Sequence, residues 1–173
     1  MPEFDVVDLE PASHPEPGED APAFTRPLVT DEFWEDRSLS SVVTESERTI
    51  LVFTPMIGSF LATYIWDELR ERGWSGADGT QLVGVSAANP YTVTRFLEDN
   101  DLEVRLFADP ANDVARAYGV EHDVDGMAGI SEPRPAIIAL DSDGTVEHAW
   151  AAEEWPEFPD YDALESELNL DLE

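Results

Sequence analysis

Four short apolar runs, Ile50–Phe53, Gln81–Ser86, Val104–Ala108 and Pro135–Leu140, punctuate the chain, and helical patterns separate the first three and follow the third. Runs of this length, rich in β-branched residues and bounded by turn formers, read as strands buried on both faces. Behind the first, Ala62, Ile65, Trp66 and Leu69 fall at i, i+3, i+4 and i+7, one stripe of a helix running to the neighbourhood of Arg72. Asn89 then offers an N-cap with Pro90 at the first helical position and Val93, Phe96 and Leu97 facing inward. Asp109 and Pro110 repeat that start for a helix through Val114 and Tyr118, which Gly119 ends with a left-handed C-cap. Ser142-Asp143-Gly144 is a tight turn into an antiparallel return strand, Thr145–Ala151, with Val146 and His148 on one face. A helical face at Leu39, Val42 and Val43 precedes these elements, and a last helix from Asp160 aligns Tyr161, Leu164 and Leu168. The string β-α-β-α-β-α-β-β-α predicts a three-layer α/β/α fold with a mixed, mainly parallel sheet of about five strands and helices on both faces.

The chain of 173 residues suits one domain with a core of its own. Residues 1–23 hold Pro2, Pro11, Pro15, Pro17 and Pro22 among acids, which predicts an extended arm ahead of a domain spanning residues 24–173.

Charge excludes several function classes. Thirty-nine acids against nine basic residues, every one of them arginine, leave a net charge of −30. Such a chain repels phosphate backbones and anionic lipid surfaces, so neither nucleic acid nor membrane is an expected partner. Hydrophobic residues at 42% distinguish it from an acidic disordered tail. A carboxylate-coated folded domain is self-repelling in dilute buffer, because the Debye length shrinks from about 30 Å at 0.01 M salt to about 3 Å at 1 M. The composition therefore points to a salt-accumulating halophile. Met1–Glu10 carries acids and no basic stretch ahead of an apolar core, and no apolar run reaches about 18 residues, so a cytoplasmic protein without a secretory signal is expected.

No cysteine occurs, which removes disulfides, thiolate metal sites, a CxxC pair and any cysteine nucleophile. A Ser-His-Asp enzyme lacks its G-x-S-x-G elbow, and Gly73, Gly76 and Gly79 miss the phosphate-binding fingerprints. His14, His122 and His148 are scattered and read as surface histidines. The acid groups at Glu153, Glu154, Glu157 and Asp160, and at Asp123 with Asp125, follow no calcium-loop pattern and read as hydration. Neither metal nor cofactor is expected. Met56, Phe60, Tyr64 and Trp66 read as core or dimer packing, with an apolar pocket as the alternative.

Specific residues carry a resemblance. Gly18, Ala21, Pro22 and Phe24 are similar to the G-x-x-A-P-x-F opening of peroxiredoxins, the alkyl hydroperoxide reductase and thiol-specific antioxidant family of the thioredoxin-like superfamily. Ile50–Phe53, then Pro55, Ser59 and Ala62, match that family's strand and its P-x-x-x-[TS]-x-x-C loop in spacing, with Ala62 in the last place. Leu82–Ser86, Phe107–Pro110, Ala115–Val120 and the stretch from Pro135 to Asp141 and Gly144 resemble later family segments in order.

The resemblance implies a thioredoxin-like fold, a homodimer, and an active-site frame at Pro55, Ser59 and Ala62. It also implies a loop Ser131–Pro135 beside that frame, in which Pro135 corresponds to a proline that is cis in such folds. In the family a cysteine at the first turn of a helix is held as thiolate by the helix dipole and unpaired N–H groups. Ala62 has no lone pair for attack on an O–O bond. Ile57, Phe60 and Ile65 also depart from the family's usual Asp, Pro and acidic residue, and Arg134 lies one position off the family's arginine. A binding or structural module without thiol peroxidase chemistry follows, with a cleft at Phe60, Thr63, Tyr64, Trp66, Arg134 and Pro135 open to a protein or a small apolar ligand. The alternatives are an enzyme using a non-cysteine group such as Tyr64, Ser59 or Arg134, and a cysteine-to-alanine variant of an active peroxidase.

Overall fold

In a computed structural model describing residues 6–123, 128–170 and 172, the apolar runs lie side by side in one sheet. In chain order the elements are β1 (Val7–Asp8), β2 (Thr25–Val29), β3 (Trp34–Ser38), α1 (Leu39–Val43), β4 (Arg48–Phe53), α2 (Phe60–Glu71), β5 (Thr80–Ser86) and α3 (Pro90–Asp99). There follow β6 (Arg105–Ala108), α4 (Asp113–Ala117), β7 (Glu121–His122), β8 (Glu132–Pro133), β9 (Ala136–Asp141), β10 (Val146–Ala151), β11 (Glu154–Trp155) and α5 (Tyr161–Leu168). The main sheet runs β10-β9-β4-β5-β6-β2-β3, with β4, β5 and β6 parallel and the other neighbours antiparallel.

Successive side chains of a strand point to opposite faces, and the core divides accordingly. Leu51, Phe53, Val83, Val85, Phe107 and Ile138 pack with Leu39, Val42 and Val43 of α1 and Val114 of α4. Ile50, Val52, Leu82, Leu106 and Ile137 face the other way, against Ile65, Trp66 and Leu69 of α2, Val93 and Phe96 of α3 and Leu164 of α5. The expected three layers are present, but only two of the six pairings in the sheet are parallel, so it is mixed and not mainly parallel.

The sheet has seven strands rather than about five. The additional pair is the antiparallel hairpin β2–β3 at one edge. Its residues Thr25-Arg26-Pro27 and Glu35-Asp36-Arg37 show no apolar alternation, because an outer strand half open to water needs none. Pro27 is tolerated because β6 pairs only with Leu28 and Val29 of β2, so no ladder bond is lost.

Local capping follows the sequence at most helices. Asn89 accepts from the Thr92 N–H at 2.9 Å, and Asp160 from the Ala163 N–H at 3.1 Å. α4 departs from its expected start: Pro110 and Ala111 form a turn, and the helix begins at Asp113 behind Asn112, whose φ is +60°. The Asp109 carboxylate still serves that helix end by accepting the Val114 N–H at 2.7 Å, and it also holds Arg26 Nε at 2.9 Å. Val146 and His148 do not share a face. A bulge at Glu147 shifts the register, so Val146 enters the α1/α4 layer while His148 turns to Glu167 of α5, 3.0 Å away.

The segment ahead of Phe24 is bonded to the body along much of its length. β1 pairs with β11, the Leu9 N–H donates to Glu153 O, and the Ser13 N–H donates to Gly119 O. Gly119, at φ +68°, is the left-handed C-cap, and a Cβ there would lie 2.6 Å from the Ser13 carbonyl carbon.

Candidate functional site

The segment joining β4 to α2 holds the frame singled out in the sequence. Thr54 and Pro55 are buried, and Thr54 Oγ1 donates to Pro55 O at 3.0 Å. Gly58 turns the chain at φ +98°, and the Ser59 N–H donates to Met56 O at 3.0 Å. Ser59 is the N-cap of α2: its Oγ accepts the Ala62 N–H at 3.3 Å, and its carbonyl receives the Thr63 hydroxyl at 3.1 Å. Leu61 and Ala62 are fully buried in the first turn. The helix N-terminus, with its partial positive charge, therefore closes over a methyl group.

Next to this turn, Phe60 and Tyr64 meet edge to face with ring centroids 6.1 Å apart, and Tyr64 meets Phe158 at 6.4 Å. Tyr64 is half exposed. Phe60 and Phe158 border a small buried group of Leu9, Leu61, Ala152 and Trp155. These rings give the site an apolar rim.

Two residues expected in the cleft lie elsewhere. Trp66 is 1% exposed and packs in the α2/α3/α5 layer, because its place on the stripe with Ile65 and Leu69 directs it at the sheet. The guanidinium of Arg134 is spent on backbone: Nη1 donates to Glu10 O at 2.9 Å and Ala152 O at 3.1 Å, and Nη2 to Glu121 O at 3.0 Å. None of these bonds reaches Ser59 or Ala62. Pro135 accepts the Ala152 N–H at 2.9 Å, and its peptide bond is trans; the cis bond of the described chain is Trp155–Pro156.

The Ser131–Pro135 stretch does meet the segment ahead of α2, through Glu132. Its carboxylate is 1% exposed, Oε2 accepts the Met56 N–H at 2.8 Å, and Oε1 lies 3.1 Å from His122 Nε2. His122 is buried, not a surface histidine, and its ring stacks on Trp155 at 4.5 Å. His14 and His148 are partly exposed and sit beside Glu16 and Glu167. In the acid group that follows β10, Glu157 accepts the N–H groups of Glu153 and Glu154. Asp125 lies outside the described residues. Among the described residues no three His, Asp or Glu side chains are grouped to hold a metal ion.

A family model described as AhpC/TSA family matches residues 17–149, from the arm through the closing hairpin. The chain belongs to the AhpC/TSA family. Solved structures agree in fold. A thiol peroxidase from Chromobacterium violaceum superposes with a TM-score of 0.75 at 22% identity, over 91% of this chain and 88% of that one. The peroxidoxin BcpB from Mycobacterium tuberculosis gives 0.69 at 21% identity, over 90% and 96%. A reduced 2-Cys peroxiredoxin from Plasmodium vivax gives 0.69 at 16%, over 88% and 80%. No curated protein matches the chain. The sequence of this AhpC/TSA-family chain holds no cysteine.

Proposed function

We propose that this AhpC/TSA-family chain is a binding or structural module without thiol peroxidase activity, working as a homodimer in the cytoplasm of a salt-accumulating halophile. One observation carries the reading. Ala62, buried in the first turn of α2 and capped by Ser59, presents a methyl group at the position corresponding to the family's sulfur nucleophile. The helix dipole and the hydrogen-bonded cap can stabilise a thiolate, but a C–H bond offers neither a lone pair nor an ionisable proton.

The apolar rim of Phe60, Tyr64 and Phe158 supports a hydrophobic protein segment or small apolar ligand as the partner. Trp34 and Tyr91, exposed and in edge-to-face contact at 5.0 Å beside the outer strand β3, supply apolar surface suited to a second copy.

The test is an assay of hydrogen peroxide consumption by the purified chain with dithiothreitol or thioredoxin. Turnover at the buffer blank is expected, and catalytic consumption overturns the reading. For the binding role, the neutral dye Nile red avoids repulsion by the acidic surface. Its emission gain is expected to fall in Tyr64→Ala, and an unchanged gain counts against the rim.

A further inference from the structure

Arg134, at 4% exposure, is the one buried arginine, and it forms no ion pair among the described residues. Partly exposed Arg26 and Arg72, in contrast, sit on carboxylates at 2.9 and 2.6 Å. Buried charges are ordinarily paired, because an uncompensated one is costly to remove from water. Three backbone carbonyls take the Nη protons of Arg134, but its Nε has no hydrogen-bond partner among the described residues. The carboxylates of Glu10 and Glu121 attract the guanidinium from further off without bonding to it.

Arg134 lines a cleft of about 580 Å³ between residues 8–13 of the arm, the α4–β7 junction and the Ser131–Arg134 stretch. Glu121 lines the same cleft, and its Oε2 is also buried without a hydrogen-bond partner among the described residues. Two residues that each carry an unused polar atom, one a cationic donor and one a carboxylate oxygen, therefore line a single cavity of ligand size. Arg116 adds a second cation at the wall, and Asp8, Glu10 and Asp123 add acids.

The charges select among ligand classes. A simple anion suits Arg134 but is opposed by the surrounding carboxylates. A simple cation is drawn by those carboxylates but opposed by the buried guanidinium. A molecule carrying both signs satisfies both unused groups at once. We propose that this cleft binds a small zwitterion of the amino-acid or dipeptide class, its carboxylate accepting from Arg134 Nε and its ammonium donating to Glu121. The site is separate from the α2 N-terminus and does not depend on how the Ala62 position is read.

The test is isothermal titration calorimetry of the full chain with L-alanyl-L-alanine, its N-acetyl form, which lacks the ammonium, and its C-terminal amide, which lacks the carboxylate. The dipeptide is expected to bind saturably, and each capped form about tenfold more weakly or worse, having lost a charge-assisted hydrogen bond. Glu121→Gln keeps the side-chain shape and is expected to abolish the preference for the free dipeptide over its N-acetyl form. Arg134→Met is expected to abolish binding. Should that variant fail to fold by circular dichroism, Glu121→Gln still decides. Absence of saturable heat means that the cleft holds water only and overturns the proposal. Equal binding of the capped forms, or an intact preference in Glu121→Gln, overturns it as well.

Discussion

Glu132 holds the loop ahead of α2 by accepting the Met56 N–H at 2.8 Å on a carboxylate that is almost completely buried. The two residues belong to segments far apart in the chain, and the same carboxylate faces His122. Glu132→Ala takes the acceptor from the part-buried Met56 N–H, and stranding such a donor costs about 1–3 kcal/mol. A lower urea midpoint is expected, with a smaller loss in Glu132→Gln, whose amide oxygen can still accept. Equal losses in the two variants count against the hydrogen bond as the cause.

Gly84 sits in β5 beneath Trp66. A Cβ at that position lies 2.6 Å from both Leu106 Cγ and Trp66 Cζ2, neither of which can withdraw, since Trp66 and Leu106 are enclosed in the core. Gly84→Ala is therefore expected to destabilise the fold by about 1–3 kcal/mol through overpacking. Thermal unfolding with the same final native baseline checks it, and unchanged stability refutes the close approach.

The charge of −30 sets the salt response. Self-repulsion weakens as the screening length contracts, so the melting temperature is expected to rise between about 0.1 M and about 3 M KCl. A flat dependence removes the argument for a halophilic source.

Much of the fold was legible because its strands are buried on both faces. Ile50–Phe53, Leu82–Val85 and Ile137–Leu140 are short apolar runs, and two of the neighbouring helices carry their starts in sequence at Asn89 and Asp160. β2 and β3 lacked such a signal, since their outer position tolerates polar side chains. The face of His148 was misread because counting in twos cannot detect the extra residue at Glu147. In the candidate site, Ser59 and Ala62 were found through the resemblance to the family's P-x-x-x-[TS]-x-x-C loop. Glu132 was not, for one acid among 39 carries no mark of burial, and its partner Met56 is 76 positions away. Nor does a histidine reveal that it is buried against Trp155.

Tyr118 gives a pH-dependent prediction. Its ring is buried between Phe24 and Phe53, and its hydroxyl donates to Pro22 O at 2.8 Å. Burial pushes the phenol well above the usual tyrosine range, because the phenolate is poorly solvated there. The folded state thus favours the neutral form, and this contribution is full below about pH 10 and is lost as the pH rises beyond the value at which the unfolded chain ionises. Tyr118→Phe is expected to cost about 0.5–1.5 kcal/mol at neutral pH and to flatten the alkaline fall in the urea midpoint. An equally steep fall in the variant assigns it to other groups.

The outermost strand β10 has its first residue engaged from both directions by the arm: the Val146 N–H donates to Glu19 O, and Val146 O receives the Gly18 N–H. Clipping the chain behind Ala21 would strip that shield and leave bare amides at the sheet edge, an invitation to edge-on polymer growth that the proline-rich arm keeps closed.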